Sequence, residues 1–269
     1  FSKVDIVSSP SLHALPGLSY RYSEAMPEIQ GLFIDGYHLN PIIPEDSAVP
    51  FADYLPGAVA HQCYPNAHTL ILEPKGGMAI QTALALRADQ VTAVEANPLV
   101  VEASPRVYQQ EAVRLVSSSG RSFLQGVQGA YDIIQMPLTD SYYPVSSGAY
   151  ALGEDFRYTV EAVEDMLLAL KPDGMLVITR WLQEEPTEWL RTFALAVTAL
   201  EAQGLDPVDR IVALRGYNTG TLLIKPTPFQ KGELSQIRTF AEERAFDLAF
   251  GPALWEEELN RFNVLPEPI

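Results

Sequence analysis

Two acids stand at positions where a ligand could be held. Glu73 follows the run Thr69-Leu70-Ile71-Leu72, and Glu95 follows Val91-Thr92-Ala93-Val94. Between them lie Pro74-Lys75-Gly76-Gly77 and a stretch of helical spacing near residues 78–86. Two short aliphatic strands joined by a glycine turn and a helix make one βαβ unit. In such a unit the loop after the first strand brings its backbone against a ligand. An acid closing the second strand can accept hydrogen bonds from both hydroxyls of a ribose. The pattern points to a nucleoside site on Glu73, Gly76, Gly77 and Glu95, although a purely structural crossover would show the same two buried strands.

The elements that must position these residues follow from the same patterning. From residue 69 onward strands alternate with helices, the pattern of a parallel sheet covered on both faces. Strands are expected at 69–72, 91–95, 113–116, 131–136 and 175–180, and helices near 78–86, 160–170 and 188–203. Thr159 is placed to cap the helix at 160, and Lys171-Pro172-Asp173-Gly174 is placed to stop it. Upstream, residues 1–50 are rich in proline and turn formers, with strand-like runs at 3–7 and 31–35. Residues 51–62 have helical spacing, with Pro56 pushing the helix start later than Phe51. This divides the chain into an N-terminal β lobe with its linker helix, residues 1–62, and a main domain, residues 63–269.

Composition narrows the function. A net charge of -16 and a pI near 4.6 oppose approach to a phosphate backbone, which argues against nucleic acid as a partner. The single cysteine, Cys63, excludes an internal disulfide, and His13, His38, His61 and His68 lack metal-ligand spacing. No apolar run approaches the roughly 18 residues needed to span a bilayer, and the start does not read as a signal peptide. The expectation is a soluble, cytoplasmic chain without a metal.

The last strands discriminate among α/β folds. Residues 211–215 and 221–225 flank Gly216-Tyr217-Asn218-Thr219-Gly220 and read as an antiparallel hairpin, followed by a helix at 231–244. A dinucleotide-binding domain would continue with parallel crossovers, and Gly-x-Gly-x-x-Gly is absent. In order, the chain carries Phe33-Ile34-Asp35-Gly36, the loop from Leu72 to Gly77, Val94-Glu95-Ala96-Asn97-Pro98, Gly120-Arg121-Ser122-Phe123-Leu124, Tyr131-Asp132-Ile133-Ile134 and Lys171-Pro172-Asp173-Gly174. With these motifs it resembles the spermidine synthase family over nearly its whole length. It is most similar to spermidine-synthase-like domains of larger bacterial proteins.

The resemblance implies an α/β fold of the class I methyltransferase type: a seven-stranded sheet with a terminal antiparallel hairpin, preceded by a small N-terminal β lobe. It implies S-adenosylmethionine or its decarboxylated form as the donor, and an amine as the acceptor. By motif, the donor-binding residues would be Glu73, Gly76, Gly77, Glu95, Asn97, Ser119, Gly120 and Arg121, with Ser119 at the position that meets the adenine amine. It further implies a homodimer and, because the chain starts at Phe1, an upstream membrane region whose cytoplasmic portion this would be.

The chain also departs from the family. Where the family carries an Asp-x-x-Asp pair after the fourth strand, Pro137 holds the place of the base and only Asp140 remains, which makes Asp140 the catalytic candidate. Pro74 and Lys75 stand where the family has glycines, and Lys75 would face the amino-acid end of a donor, where a carboxylate would suit it. Asp53 and Tyr54 are partial matches to the family's amine-recognising run, Asp132 reads as structural, and residues 142–148 with Glu154, Asp155 and Tyr158 read as a lid. Two readings result. One is a transferase moving an aminopropyl or methyl group to an amine. The other is a catalytically degenerate nucleoside-binding or assembly domain of a larger membrane protein.

Overall fold

The structure is a computed structural model that describes residues 2–9, 12, 15–44, 48–140, 156–182, 188–252 and 254. Two sheets organise it. The first is antiparallel, in the order β1 (Val4–Ser8), β2 (Gln30–Ile34), β3 (Tyr37–Ile42). Asp35 and Gly36, both at positive φ, form the two-residue turn between β2 and β3, the conformation that an Asp-Gly pair favours. Leu32 and Ile42 of this sheet bury against Val100 of α3 (Pro98–Ala103). The strand β3, which the sequence pattern misses, contains Asn40 and Pro41 and lacks the β-branched alternation of its neighbours.

The second sheet contains β4 (His68–Leu72), β5 (Gln90–Val94), β6 (Val113–Val116), β7 (Tyr131–Met136), β8 (Leu170–Trp181), β9 (Ile211–Arg215), β10 (Thr219–Ile224) and β11 (Asp247–Phe250). Their order is β11-β9-β10-β8-β7-β4-β5-β6. Strands β4 to β8 are parallel, β10 runs antiparallel to β8 with Thr219 opposite Trp181, and β9 completes the expected hairpin. The seven strands expected from the sequence are there. An eighth, β11, pairs antiparallel outside β9. The chain leaves β4 toward β5 and β6, then returns to β7 on the other side of β4. That reversal opens a crevice at the carboxyl ends of β4 and β7, where ligands of open α/β sheets bind.

Both faces are covered, so the strands alternate between two apolar layers rather than between core and water. Leu176 and Ile178 of β8 face α6 (Val160–Ala169) and α7 (Glu188–Ala202). Met175 and Val177 of the same strand face α1 (Ala58–Cys63) and α8 (Lys231–Arg244). Toward the β5 side, Ile71 and Ala93 pack on α2 (Met78–Ala85) and α4 (Pro105–Tyr108), while α5 (Gly120–Leu124) adds Leu124 to the opposite layer.

The helix expected over residues 51–62 is interrupted. A short 3-10 turn at Pro50–Tyr54 ends in an extended Leu55, and α1 begins after Gly57. Pro56 accounts for the gap, because the residue before a proline is pushed out of the helical region. The stop after α6 is abrupt, since β8 begins directly at Leu170 and runs through Lys171-Pro172-Asp173-Gly174. The expected lid at 142–148, with Glu154 and Asp155, lies outside the described residues. Among the described residues no helix is long and apolar enough to cross a membrane.

Candidate functional site

The loop after β4 is held in an unusual backbone conformation. Glu73 and Lys75 lie at φ near 50°, in the left-handed region, and Gly77 follows at 83°. For residues bearing a Cβ this conformation costs about 1 kcal/mol or more and persists only where surroundings enforce it. Here they do. Glu73 N–H donates to the Val94 carbonyl (2.8 Å), and the Tyr108 hydroxyl donates to the Lys75 carbonyl (2.6 Å). Gly76 lies so close to the first sheet that a Cβ there would strike the Pro41 carbonyl oxygen, and one at Gly77 would strike Val107. Thus clamped, the loop directs Lys75 between the two acids. Its ammonium is 3.2 Å from Glu73 Oε2 and 3.6 Å from Glu95 Oε1, with the side chain 16% exposed.

Glu95, just past β5, is buried at 1% exposure. Its Oε1 accepts the backbone N–H of Asn97 (3.0 Å), whereas Oε2 is buried and has no hydrogen-bond partner among the described residues. An unpaired carboxylate oxygen in the interior is costly unless a donor reaches it. Asn97 itself caps α3, accepting from Leu99 N–H (3.1 Å) and donating to Ser2 Oγ (2.6 Å). Ser119 does the same for α5, accepting from Ser122 N–H (3.2 Å). Arg121 pairs with Asp165 of α6 at 2.8 Å.

At the end of β7, Asp140 is surrounded by donors. Arg157 Nη2 reaches Oδ1 at 2.8 Å, Arg180 Nη1 reaches Oδ2 at 2.6 Å, and the Tyr158 hydroxyl reaches Oδ2 at 3.2 Å. The Trp181 indole N–H donates to the Asp140 carbonyl (2.7 Å). Arg180, 8% exposed, also pairs with Glu188 (2.9 Å) and lies over the Tyr158 ring, 3.8 Å from its centroid. Burial alone would raise the Asp140 carboxyl, but Arg157 and Arg180 outweigh it and hold the group below the usual carboxylate range. Burial, followed by the Asp140 charge, pushes the Tyr158 phenol well above its ordinary value. Arg157 Nη1 also contacts Glu73 (3.2 Å). The result is a continuous series of charges: Glu95, Lys75, Glu73, Arg157, Asp140, Arg180, Glu188.

Beside this series lies a cleft of about 360 Å³, counting its open mouth. Leu72, Gly120, Leu124, Met136 and Pro137 give it apolar walls, and Glu73, Arg121 and Arg157 give it charged ones. Of the residues proposed from sequence, Glu73, Gly120 and Arg121 line the cleft, while Glu95 and Asp140 connect to Glu73 through Lys75 and Arg157. Gly76 and Gly77 serve close backbone packing, and Asn97 and Ser119 are helix caps. Asp132, at the other end of β7, accepts from His68 N–H and Lys171 Nζ, both at 2.9 Å. Asp53 pairs with Arg244 of α8, whose guanidinium lies 5.3 Å from the Tyr54 ring centroid, so this pair ties the linker to α8.

Solved structures similar to this chain in three dimensions share this architecture. A probable spermidine synthase from Corynebacterium glutamicum superposes with a TM-score of 0.59 at 13% identity, over 90% of this chain and 84% of that one. The spermidine synthase of Thermotoga maritima gives 0.55 at 17% identity, over 98% and 81%. The fold is that of the spermidine synthases. A further spermidine synthase structure, in complex with the transition-state analogue AdoDATO, matches at 0.55 and 16% identity over the same shares. No family model and no curated protein matches the sequence. Within the spermidine synthase fold, Arg157, Arg180 and Tyr108 are the site residues that sequence reasoning missed. They are brought in from distant elements and carry no motif of their own.

Proposed function

We propose that the chain binds an S-adenosyl nucleoside at the carboxyl ends of β4, β5 and β7, with Glu95 accepting hydrogen bonds from the ribose. We further propose that it does not aminopropylate a polyamine. The observation that carries the first part is the buried Oε2 of Glu95, an acceptor that no donor reaches among the described residues. It fits the chemistry of a vicinal diol, and the adjoining cleft has the apolar walls against which a base stacks. Bound there, such a donor supplies a sulfonium carbon open to displacement.

The second part rests on Asp140. Transfer to an amine requires a group that removes a proton from the nucleophile, a contribution of about 10²- to 10⁴-fold in rate. With Pro137 at the place of the base, Asp140 is the remaining member of that pair, and both its oxygens are engaged by Arg157, Arg180 and Tyr158. A carboxylate held so firmly ionised is a poor proton acceptor. Two guanidinium groups beside it also oppose a polycationic acceptor. Donor binding without polyamine transfer is therefore favoured over the aminopropyltransferase reading.

Calorimetry with methylthioadenosine, S-adenosylmethionine and its decarboxylated form tests the nucleoside site. We expect binding of at least one of the three; no heat from any of them at millimolar concentration would sink the proposal. A radiolabelled transfer assay with putrescine tests the rest. Spermidine formation above background would overturn the exclusion of aminopropyl transfer. Glu95→Gln should weaken methylthioadenosine by about 1–3 kcal/mol, the worth of buried hydrogen bonds to a charged acceptor.

A further inference from the structure

We infer that the Lys75 side chain is a built-in cover for Glu95, one that swings aside before a nucleoside is received; this rests on the nucleoside site proposed above. Glu95 Oε2 has no hydrogen-bond partner among the described residues, yet it is closed off from solvent and its residue is 1% exposed. A ribose hydroxyl therefore reaches it only after a neighbour has moved. Asn97, whose N–H donates to Oε1, is fixed as the cap of α3 and by Ser2. Burial first, and the Glu95 charge second, raise the nearby Tyr108 phenol, and its hydroxyl is tied to the Lys75 carbonyl. The Lys75 side chain, in contrast, has a second place to go.

Its ammonium approaches the two acids unequally. It is 3.2 Å from Glu73 Oε2 but 3.6 Å from Glu95 Oε1, beyond ordinary hydrogen-bond length. Glu73 lines the cleft, and Arg157 divides its guanidinium between Glu73 and Asp140, so Glu73 keeps the charge to hold the ammonium by itself. Lys75 can thus withdraw from Glu95 toward the cleft and stay paired. The backbone need not follow, because the Tyr108 hydrogen bond and the packing of Gly76 on Pro41 fix it. Without a ligand, the covered arrangement is favoured, since a buried carboxylate left without a cation is costly. A cover held by about nine molecules in ten would weaken the apparent affinity about tenfold.

The experiment is calorimetry of the full chain with uncharged methylthioadenosine, for the wild type, Lys75→Gly, Lys75→Asn and Lys75→Arg. Glycine takes up the left-handed backbone without strain and keeps the carbonyl that Tyr108 holds; asparagine is short and tolerates the same conformation. Lys75→Gly should bind about tenfold more tightly than the wild type, and Lys75→Asn should tighten as well. Lys75→Arg, which keeps a cation long enough to reach both acids, should stay within about threefold of the wild type. Urea denaturation establishes that each variant is folded, and Lys75→Asn carries the test if Lys75→Gly does not fold. Equal or weaker binding by the folded Gly and Asn variants overturns the inference, because Lys75 would then be indifferent to the ligand or would help to hold it. Lys75→Arg binding as tightly as Lys75→Gly overturns it too. No binding of methylthioadenosine to any of the folded proteins instead removes the nucleoside site, and the inference with it.

Discussion

Two buried charge clusters lie at opposite ends of the β8–β10 pair, and they are built alike. At the carboxyl end of β8, Asp140 accepts from Arg157, Arg180 and Tyr158, and Arg180 lies over the tyrosine ring. At the other end, Glu233 of α8 accepts from Lys225 Nζ (2.5 Å), the Tyr64 hydroxyl (2.6 Å) and Gln230 N–H (2.8 Å). Lys225, which is fully buried, lies 5.8 Å from the centroid of the Tyr64 ring and 5.6 Å from that of Phe229. In each case a carboxylate is saturated by a cation and a tyrosine, and its titration is pushed below the ordinary range. The lower cluster is far from the cleft and fastens α8 to the sheet. Its likeness to the Asp140 cluster teaches that position at a carboxyl edge does not make an acid catalytic. Glu95, with an unspent oxygen, is the one built differently.

If the two clusters are equivalent, both should be structural, and removing one partner from either should be expensive. Lys225→Met is expected to destabilise the chain most, by about 3–5 kcal/mol, the usual cost of orphaning one member of a buried ion pair. Asp140→Asn should approach the same range, about 3 kcal/mol, because it leaves Arg180 buried beside an uncharged amide. Urea denaturation at neutral pH reads both. The comparison breaks if Asp140→Asn is nearly neutral in stability, since a carboxylate that contributes nothing to folding would have to be kept for another reason.

The parts of this arrangement that could be read from sequence are those with local periodicity. The strands at 113–116, 131–136 and 211–215 and the helix at 231–244 have the same bounds in the structure. Their apolar residues form short runs or recur at helical spacing, and turn formers bracket them. Glu73 and Glu95 were legible for the same reason, as acids that end apolar runs. The Asp140 clamp was not. Arg157 and Arg180 are 17 and 40 residues away in sequence; the pairing of β7 with β8 brings Arg180 to Asp140, and the turn before α6 brings Arg157. The motif comparison therefore left Asp140 as a candidate base, whereas the geometry makes it the centre of an ion cluster. Lys75 lies between the two cases: its departure from glycine was visible, but the left-handed backbone that aims it between two acids was not.

His61 sharpens the comparison from the other side, as a buried polar group that no partner satisfies. It lies on α1, two residues before Cys63, and its Nδ1 has no hydrogen-bond partner among the described residues. Burial lowers its pKa from about 6.5 to about 4. Between those values the unfolded chain takes up a proton that the folded chain refuses, so stability falls as pH drops from 6.5 toward 4 and then levels off. By pH 4.5 the loss from this group alone should be about 2.5 kcal/mol, at 1.36 kcal/mol per pKa unit. Urea denaturation at pH 7 and pH 4.5 of the wild type and His61→Leu isolates it, because carboxylate contributions common to both cancel. An equal drop in the two proteins would show that the imidazole is protonated in the folded state, and that a charge can be accommodated there without the partners the two clusters require.

The smallest expected effect separates residues that hold the site's backbone from residues that touch a ligand. Ser119 is at the position that the family resemblance assigns to adenine, yet its hydroxyl oxygen accepts from Ser122 N–H and starts α5. As a cap it should be worth about 1 kcal/mol to folding, so Ser119→Ala should lower stability by that amount. Methylthioadenosine affinity should stay within about twofold, because a cap already spent on the helix has little left for an exocyclic amine. A fall in affinity of about tenfold or more would place Ser119 beside Glu95 among the groups with capacity to spare, by the scale on which 1.4 kcal/mol separates decades of affinity. In that case the hydroxyl serves both the helix and the base, and the contrast between saturated and unsaturated groups would have to be drawn within a single side chain.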